Sequence, residues 1–176
     1  MNFVKRIGLL ALTLVALNAS AQTKKEVTTK IVEEKNFIFV ATTAMPTNTV
    51  ELSNVMSRMN GGSDAGTISL SGSGYDLKIS ADSIVSFLPY YGRAYSAAYN
   101  NDDSGIKFTS KSFTYTSTKR KKGSWDIEIS TKDVKDNVKM NLTVSESGYA
   151  TLNVSSYNKQ SITYNGYLKE VPKKSS

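Results

Sequence analysis

The sequence predicts a mainly β fold: an antiparallel meander of about eight or nine strands closing into a small barrel or sandwich, with one or two short N-terminal helical segments. Two observations predict it. From Thr67 onward, apolar residues fall on every second position within short runs, the period of a half-buried strand. Clusters of Gly, Ser, Asn and Asp separate the runs, with no alternation of strand and helix, so consecutive hairpins are the simplest connection.

The elements follow in order. Lys5 and Arg6 precede an apolar run from Ile7 to Leu17, and Ala19-Ser20-Ala21 puts small residues where a signal peptidase reads. This pattern predicts a signal peptide over 1–21, cut before Gln22. No cysteine follows it, so no lipid anchor is expected, and no second long apolar run predicts a transmembrane segment. The expected location is periplasmic or secreted. Residues 22–36 form a polar lead-in with Val27 and Ile31 four apart, a spacing that suits a surface helix. A single β domain is expected over 37–169, and 170–176 reads as a flexible tail.

Within that domain, "FIFVA" opens a first strand, ended by Pro46. Leu52, Val55, Met56 and Met59 share one helical face, and Asn48 with Glu51 resembles a capping pair, so a short helix is expected over 49–59. Its methionine face suits core packing. Alternation then marks "TISL", "YDLKIS" and "DSIVSFL". The long run "IKFTSKSFTYTSTK" slips phase: Ile106 and Phe108 share one parity, Phe113 and Tyr115 the other. A bulge or turn near Ser110-Lys111 accounts for the slip. "SWDIEIS", "VKMNLTV", "YATLNVSSY" and "SITYNGYL" complete the set, with Ile127, Leu142, Leu152 and Ile162 facing inward.

Composition closes several chemistries. The chain has no histidine and no cysteine. A Ser-His-Asp triad, a thiol nucleophile, disulfides and His- or Cys-ligated zinc are therefore excluded. No cofactor and no metal are expected. The net charge is +7, spread thinly apart from the cluster "KRKK" at 119–122, which reads as a solvated hairpin tip. Aromatic residues do not interleave with it, so no nucleic-acid partner is expected. "NNDDSG" at 100–105 lacks the spaced ligands and distal glutamate of a calcium loop and reads as a turn. Asp82 opens a turn between strands. Asp64, Asp76 and Asp126 are scattered and advertise no catalytic pair.

One segment stands apart. "LPYYGRAYSAAY", Leu88 to Tyr99, crowds Tyr90, Tyr91, Tyr95 and Tyr99 around Arg93. Pro89 stops ladder pairing and Gly92 permits a turn, so these two are structural turn residues. Tyrosine faces beside a guanidinium suit a sugar, an aromatic ligand or a peptide. The same residues also suit a barrel corner, with buried hydroxyls finding carbonyl partners.

"SIVSFLPYYGRAYSAAY" followed by "GIKF", together with "KRKKGSWDIEI" and "GYATLNVSSYNKQSITYNGYL", resembles the domain of unknown function 4251 family of secreted Bacteroidetes proteins. The resemblance spans roughly Phe37 to Leu168. Lys159 stands where that family's usual Asn-Arg-Gln turn carries arginine. The resemblance implies a periplasmic or surface location in a Gram-negative anaerobe and implies no activity.

Three functional readings follow. The first is a non-enzymatic envelope protein presenting Tyr90, Tyr91, Arg93, Tyr95 and Tyr99 to a small ligand, glycan or partner protein. The second is a cofactor-free hydrolase using carboxylates and tyrosines, which requires paired acids in a cleft with a displaced pKa. The third is a structural or inhibitory partner of another envelope protein, docking through an exposed strand edge.

Overall fold

The computed structural model describes residues 25–47, 66–95 and 105–172. The helix expected over 49–59, residues 100–104 of the expected turn and Tyr99 lie outside them. The polar lead-in does form a helix, α1, over 25–33. Thr28, Ile31 and Val32 are its buried stripe. At its end the Asn36 N–H donates to the Ile31 carbonyl (3.0 Å) and the Lys35 N–H to the Val32 carbonyl (3.2 Å). This two-bond cap requires a left-handed residue, most often glycine. Here Lys35 takes it, with φ of 51°.

Ten strands follow: β1 (Phe37–Pro46), β2 (Ile68–Ser69), β3 (Asp76–Ile79), β4 (Ile84–Leu88), β5 (Ile106–Ser110), β6 (Phe113–Lys119), β7 (Trp125–Thr131), β8 (Lys139–Val144), β9 (Tyr149–Ser155) and β10 (Ile162–Glu170). All pairings are antiparallel, and the sheet is nearly closed into a barrel. Read from β1, the wall runs β3, β4, β5, then β6, β7, β8, β9 and β10, which pairs back onto β1; β2 adds a short pairing to β1. The meander is thus in chain order, joined by its first and last strands. Of the two expected architectures, this is the barrel.

The bend in the long strand completes the circuit. Ile106–Ser110 pairs with β4, and Phe113–Lys119 pairs with β7. β5 and β6 are not hydrogen-bonded neighbours, and the alternation of antiparallel partners around the wall makes them run the same way. Residues 106–119 therefore form one strand that bends at Lys111-Ser112 and passes from one edge to the other. The phase slip has this cause: the bend flips parity, so Ile106 and Tyr115 both turn to the interior. Asp133, in the β7–β8 turn, holds the corner. Its carboxylate accepts from the Ser110 hydroxyl (2.5 Å), the Lys111 N–H (2.8 Å) and the Ser112 N–H (3.0 Å).

Inward residues stack in rungs across the wall. One rung is Ala44, Tyr164, Leu152, Leu142, Ile127 and Ser117, in register from β1 to β6. Its first five members are buried; Ser117 is exposed. The outward rung beside it is polar, with Thr43, Asn165, Thr151, Thr143, Asp126 and Thr118 in register. Such alternation is what makes the register unique, since a one-residue slip would expose the core. A bulge between Ala41 and Thr43 adjusts β1 against β10. Gly166 faces it, where a Cβ would lie 1.9 Å from the Val40 carbonyl oxygen. Only glycine allows that approach.

Strand directions sort the connections to two ends. At one end α1 lies against the β8–β9 turn, where Lys25 Nζ meets Glu146 Oε1 at 3.0 Å. At the other end the chain leaving β4 meets the β7–β8 and β9–β10 turns.

Candidate functional site

The segment singled out by composition sits at this second end, where β4 stops at Pro89. Pro89 is buried, and its carbonyl accepts from the hydroxyl of Tyr164, a wholly buried residue on β10, at 2.5 Å. From there the chain runs alongside the β9–β10 turn as a short antiparallel ribbon. The Gln160 N–H donates to the Arg93 carbonyl (3.1 Å) and the Tyr95 N–H to the Asn158 carbonyl (2.8 Å), with Ala94 bridged to Lys159. The Arg93 N–H faces Gln160 Oε1 at 3.4 Å.

The ribbon sorts the candidate tyrosines. Tyr90 and Tyr91 are half-buried and pack on the core. The Tyr90 hydroxyl lies 2.8 Å from the Arg93 carbonyl and 3.1 Å from that of Gln160, so it ties the two arms together. Burial pushes the pKa of both phenols up. Arg93 and Tyr95 are exposed, Tyr95 at 69%. The opposite arm adds Tyr157, 73% exposed, which composition alone did not single out. Pro89 directly follows the last residue of β4, and Gly92 stands where a side chain would not fit. Its φ lies outside the left-handed region, while a Cβ would sit 2.7 Å from the Tyr90 hydroxyl. The Tyr90 phenol must cross it to reach the turn carbonyls.

The family model for a domain of unknown function, DUF4251, matches residues 19–168. The chain belongs to that family. A crystal structure of a DUF4251 family protein from Bacteroides eggerthii DSM 20697 is similar over 84% of this chain and 88% of its own, with a TM-score of 0.56 at 12% sequence identity. At that identity the likeness shows the fold. No curated protein matches the chain.

In this DUF4251 domain, Lys159 links the ribbon to the residue before β5. Its Nζ donates to the Gly105 carbonyl at 2.6 Å and lies 5.4 Å from the Tyr90 ring centroid. It thereby joins the ribbon to the start of β5. Asn158 extends the network through Nδ2 to Asp136 Oδ1 at 2.7 Å, in the β7–β8 turn.

The remaining charged candidates have local roles. Lys119 to Lys122 occupy the end of β6 and the β6–β7 tip, where Arg120 pairs with Asp126 on β7. Asp76 lies 3.6 Å from Lys78 on β3. Asp82 accepts from the Ser80 and Ser83 hydroxyls in the β3–β4 turn, which holds its carboxyl below the ordinary value. Asp133 is likewise held low, first by the Ser110 hydroxyl and then by the N–H of Lys111. Both shifts favour the carboxylate, the opposite of what a general acid requires. Among the described residues, no group of three or more acidic side chains is placed to hold a metal ion. No described helix is long and apolar enough to cross a membrane.

Proposed function

We propose that this chain is a non-enzymatic envelope protein, exported by the leader at 1–21, that holds a glycan or a protein loop at the ribbon end of its barrel. The observation that carries this is the pair of exposed rings, Tyr95 and Tyr157, on the two arms of one hydrogen-bonded ribbon with Arg93 beside them. Exposed tyrosines give apolar area at low entropic cost, and a guanidinium adds directed donors to hydroxyl or carboxylate oxygens. The half-buried Tyr90 and Tyr91 contribute rigidity rather than contact. A ribbon whose main chain is already paired loses little entropy when a ligand arrives. The hydrolase reading is weaker because the displaced aspartates, Asp82 and Asp133, are turn staples with lowered pKa values.

A glycan-array and peptide-array screen of the mature chain, repeated on a Tyr95→Ala, Tyr157→Ala double variant, tests this. The variant should melt within a few degrees of the parent, since both rings are mostly in solvent. It should lose the hits that the parent gives. A double variant that keeps every hit refutes the ribbon as the site.

A further inference from the structure

β4 inverts the usual sorting of polar and apolar side chains. Ile84, Ser86 and Leu88 face inward and are buried, while Val85 and Phe87 face outward and are 37% and 45% exposed. The strand therefore buries a serine and leaves a phenylalanine in water. The Ser86 hydroxyl needs a partner inside and donates to the Ile106 carbonyl at 2.7 Å. On β7 and β8 the outward positions are polar or charged throughout: Asp126, Glu128 and Ser130, then Lys139, Asn141 and Thr143. An inversion of this kind works against stability, and such conflicts collect where a surface is used.

The atoms around Phe87 form one patch. Phe87 is in register with Asp76 on β3 and with Lys107 on β5. Tyr75, just before β3, stacks on its ring at 5.6 Å between centroids, with 28° between the planes. Lys107 Nζ lies 5.1 Å from the same centroid. The ring thus has a phenol on its β3 side and an ammonium on its β5 side. Val85 continues the patch two positions along β4, opposite Lys78 on β3 and Thr109 on β5. Lys159 approaches from the β9–β10 turn. Its Nζ is 2.6 Å from the Gly105 carbonyl, and a Cβ on Gly105 would lie 3.0 Å from Lys107 Cε. Among the described residues that pair with the patch or border it in this way, Lys78, Lys107 and Lys159 are set against one carboxylate, Asp76. The sum is positive.

We propose that this outer face of β4 docks an acidic segment of a partner protein. An apolar side chain of the partner covers Phe87 and Val85, and carboxylates beside it face Lys107 and Lys159. Charge selects the occupant. A second copy of this chain would set like charges against each other. A sugar stacks on an open ring face, and both faces of Phe87 have a neighbour. A bilayer surface would gain little from two apolar side chains. The patch includes none of Tyr95, Tyr157 and Arg93, so it and the ribbon site stand or fall separately.

An array of short random peptides, probed with the mature chain, tests this. The bound peptides should include a set rich in Asp and Glu around a Leu, Ile, Phe or Trp. For the tightest of that set, Phe87→Ser and Lys107→Glu should each weaken binding by about tenfold, read by fluorescence anisotropy. Lys107 is exposed, so Lys107→Glu should melt within a few degrees of the parent and separates binding from folding. Raising the salt from about 50 to about 300 mM should weaken binding severalfold. The Tyr95→Ala, Tyr157→Ala double variant should keep this set of peptides. An array without acidic enrichment, undiminished affinity in Lys107→Glu, or loss of the set in the double variant would each overturn the assignment. So would a glycan, phosphatidylglycerol vesicles or a second copy of the chain found to bind through Phe87.

Discussion

The wall from β7 through β10 to β1 and the wall at β6 obey the same alternation and end differently. Leu152 and Tyr164 have strands on both sides and are completely buried. Among the described strands, Tyr115 and Ser117 have a neighbour on one side only; Tyr115 is half-buried and Ser117 exposed. The difference is not one of residue type, since tyrosine occurs in both places. It comes from sharing one bent strand between two edges. Residues 106–110 serve β4 and 113–119 serve β7, so among the described strands neither half has a neighbour on both flanks. A closed barrel removes its edges; a barrel closed by a bend keeps two short ones. Burial is concentrated in one arc, and the half-buried and exposed rung positions lie in the other.

Mutations can break or sharpen this contrast. The largest effect belongs to the sealed arc. Leu152→Ala should cost about 2–5 kcal/mol, read as a fall in the urea midpoint without a change in slope. Tyr164→Phe should cost about 1–3 kcal/mol, because the Pro89 carbonyl would lose its buried donor. It should also loosen the ribbon, visible as faster amide exchange at Tyr95 and Gln160 than in the parent.

The bend comes next. Asp133 is held below its ordinary 3.8, chiefly by the Ser110 hydroxyl, so its contribution is present in full above that value and is lost as pH falls through the lower folded-state value. Asp133→Asn should therefore destabilise the chain near neutral pH. The gap between variant and parent should narrow on acidification below about pH 4. Urea midpoints measured across that range check it, and a gap that widens toward acid would contradict it. The smallest effect belongs to the open arc: Ser117→Ala should change stability by about 0.5 kcal/mol or less.

Much of the fold was legible because a half-buried strand leaves a period-two trace. β7, β8, β9 and β10 were readable from Ile127, Leu142, Leu152 and Ile162, and the phase slip between Phe108 and Phe113 announced the bend. The consequence of the bend was not legible. Passing a strand from one edge to another depends on its two halves pairing with different strands, β4 and β7, and the run itself does not show where one partner gives way to the other. The site was half legible for a similar reason. "PYYGRAY" has no periodicity, so nothing local separates Tyr90 and Tyr91, turned to the core, from Tyr95, turned to water. Tyr157 was missed because "SSYNKQ" reads only as a hairpin turn; its partner arm is over sixty residues earlier. Gly92 was read for its backbone freedom, whereas the structure shows the Tyr90 phenol crossing the space a side chain there would take.

The chain contains no cysteine, so a single introduced thiol is a clean reporter of which inner surfaces meet solvent. Ser117→Cys and Ile127→Cys place thiols on one rung, on adjacent strands in direct register. Under native conditions a maleimide should label the thiol at 117 at close to the rate of the urea-unfolded chain. The thiol at 127 should react only as fast as the protein opens. Equal protection at both positions would mean that the wall is sealed at β6 as it is elsewhere, and the account of the bent strand would fail.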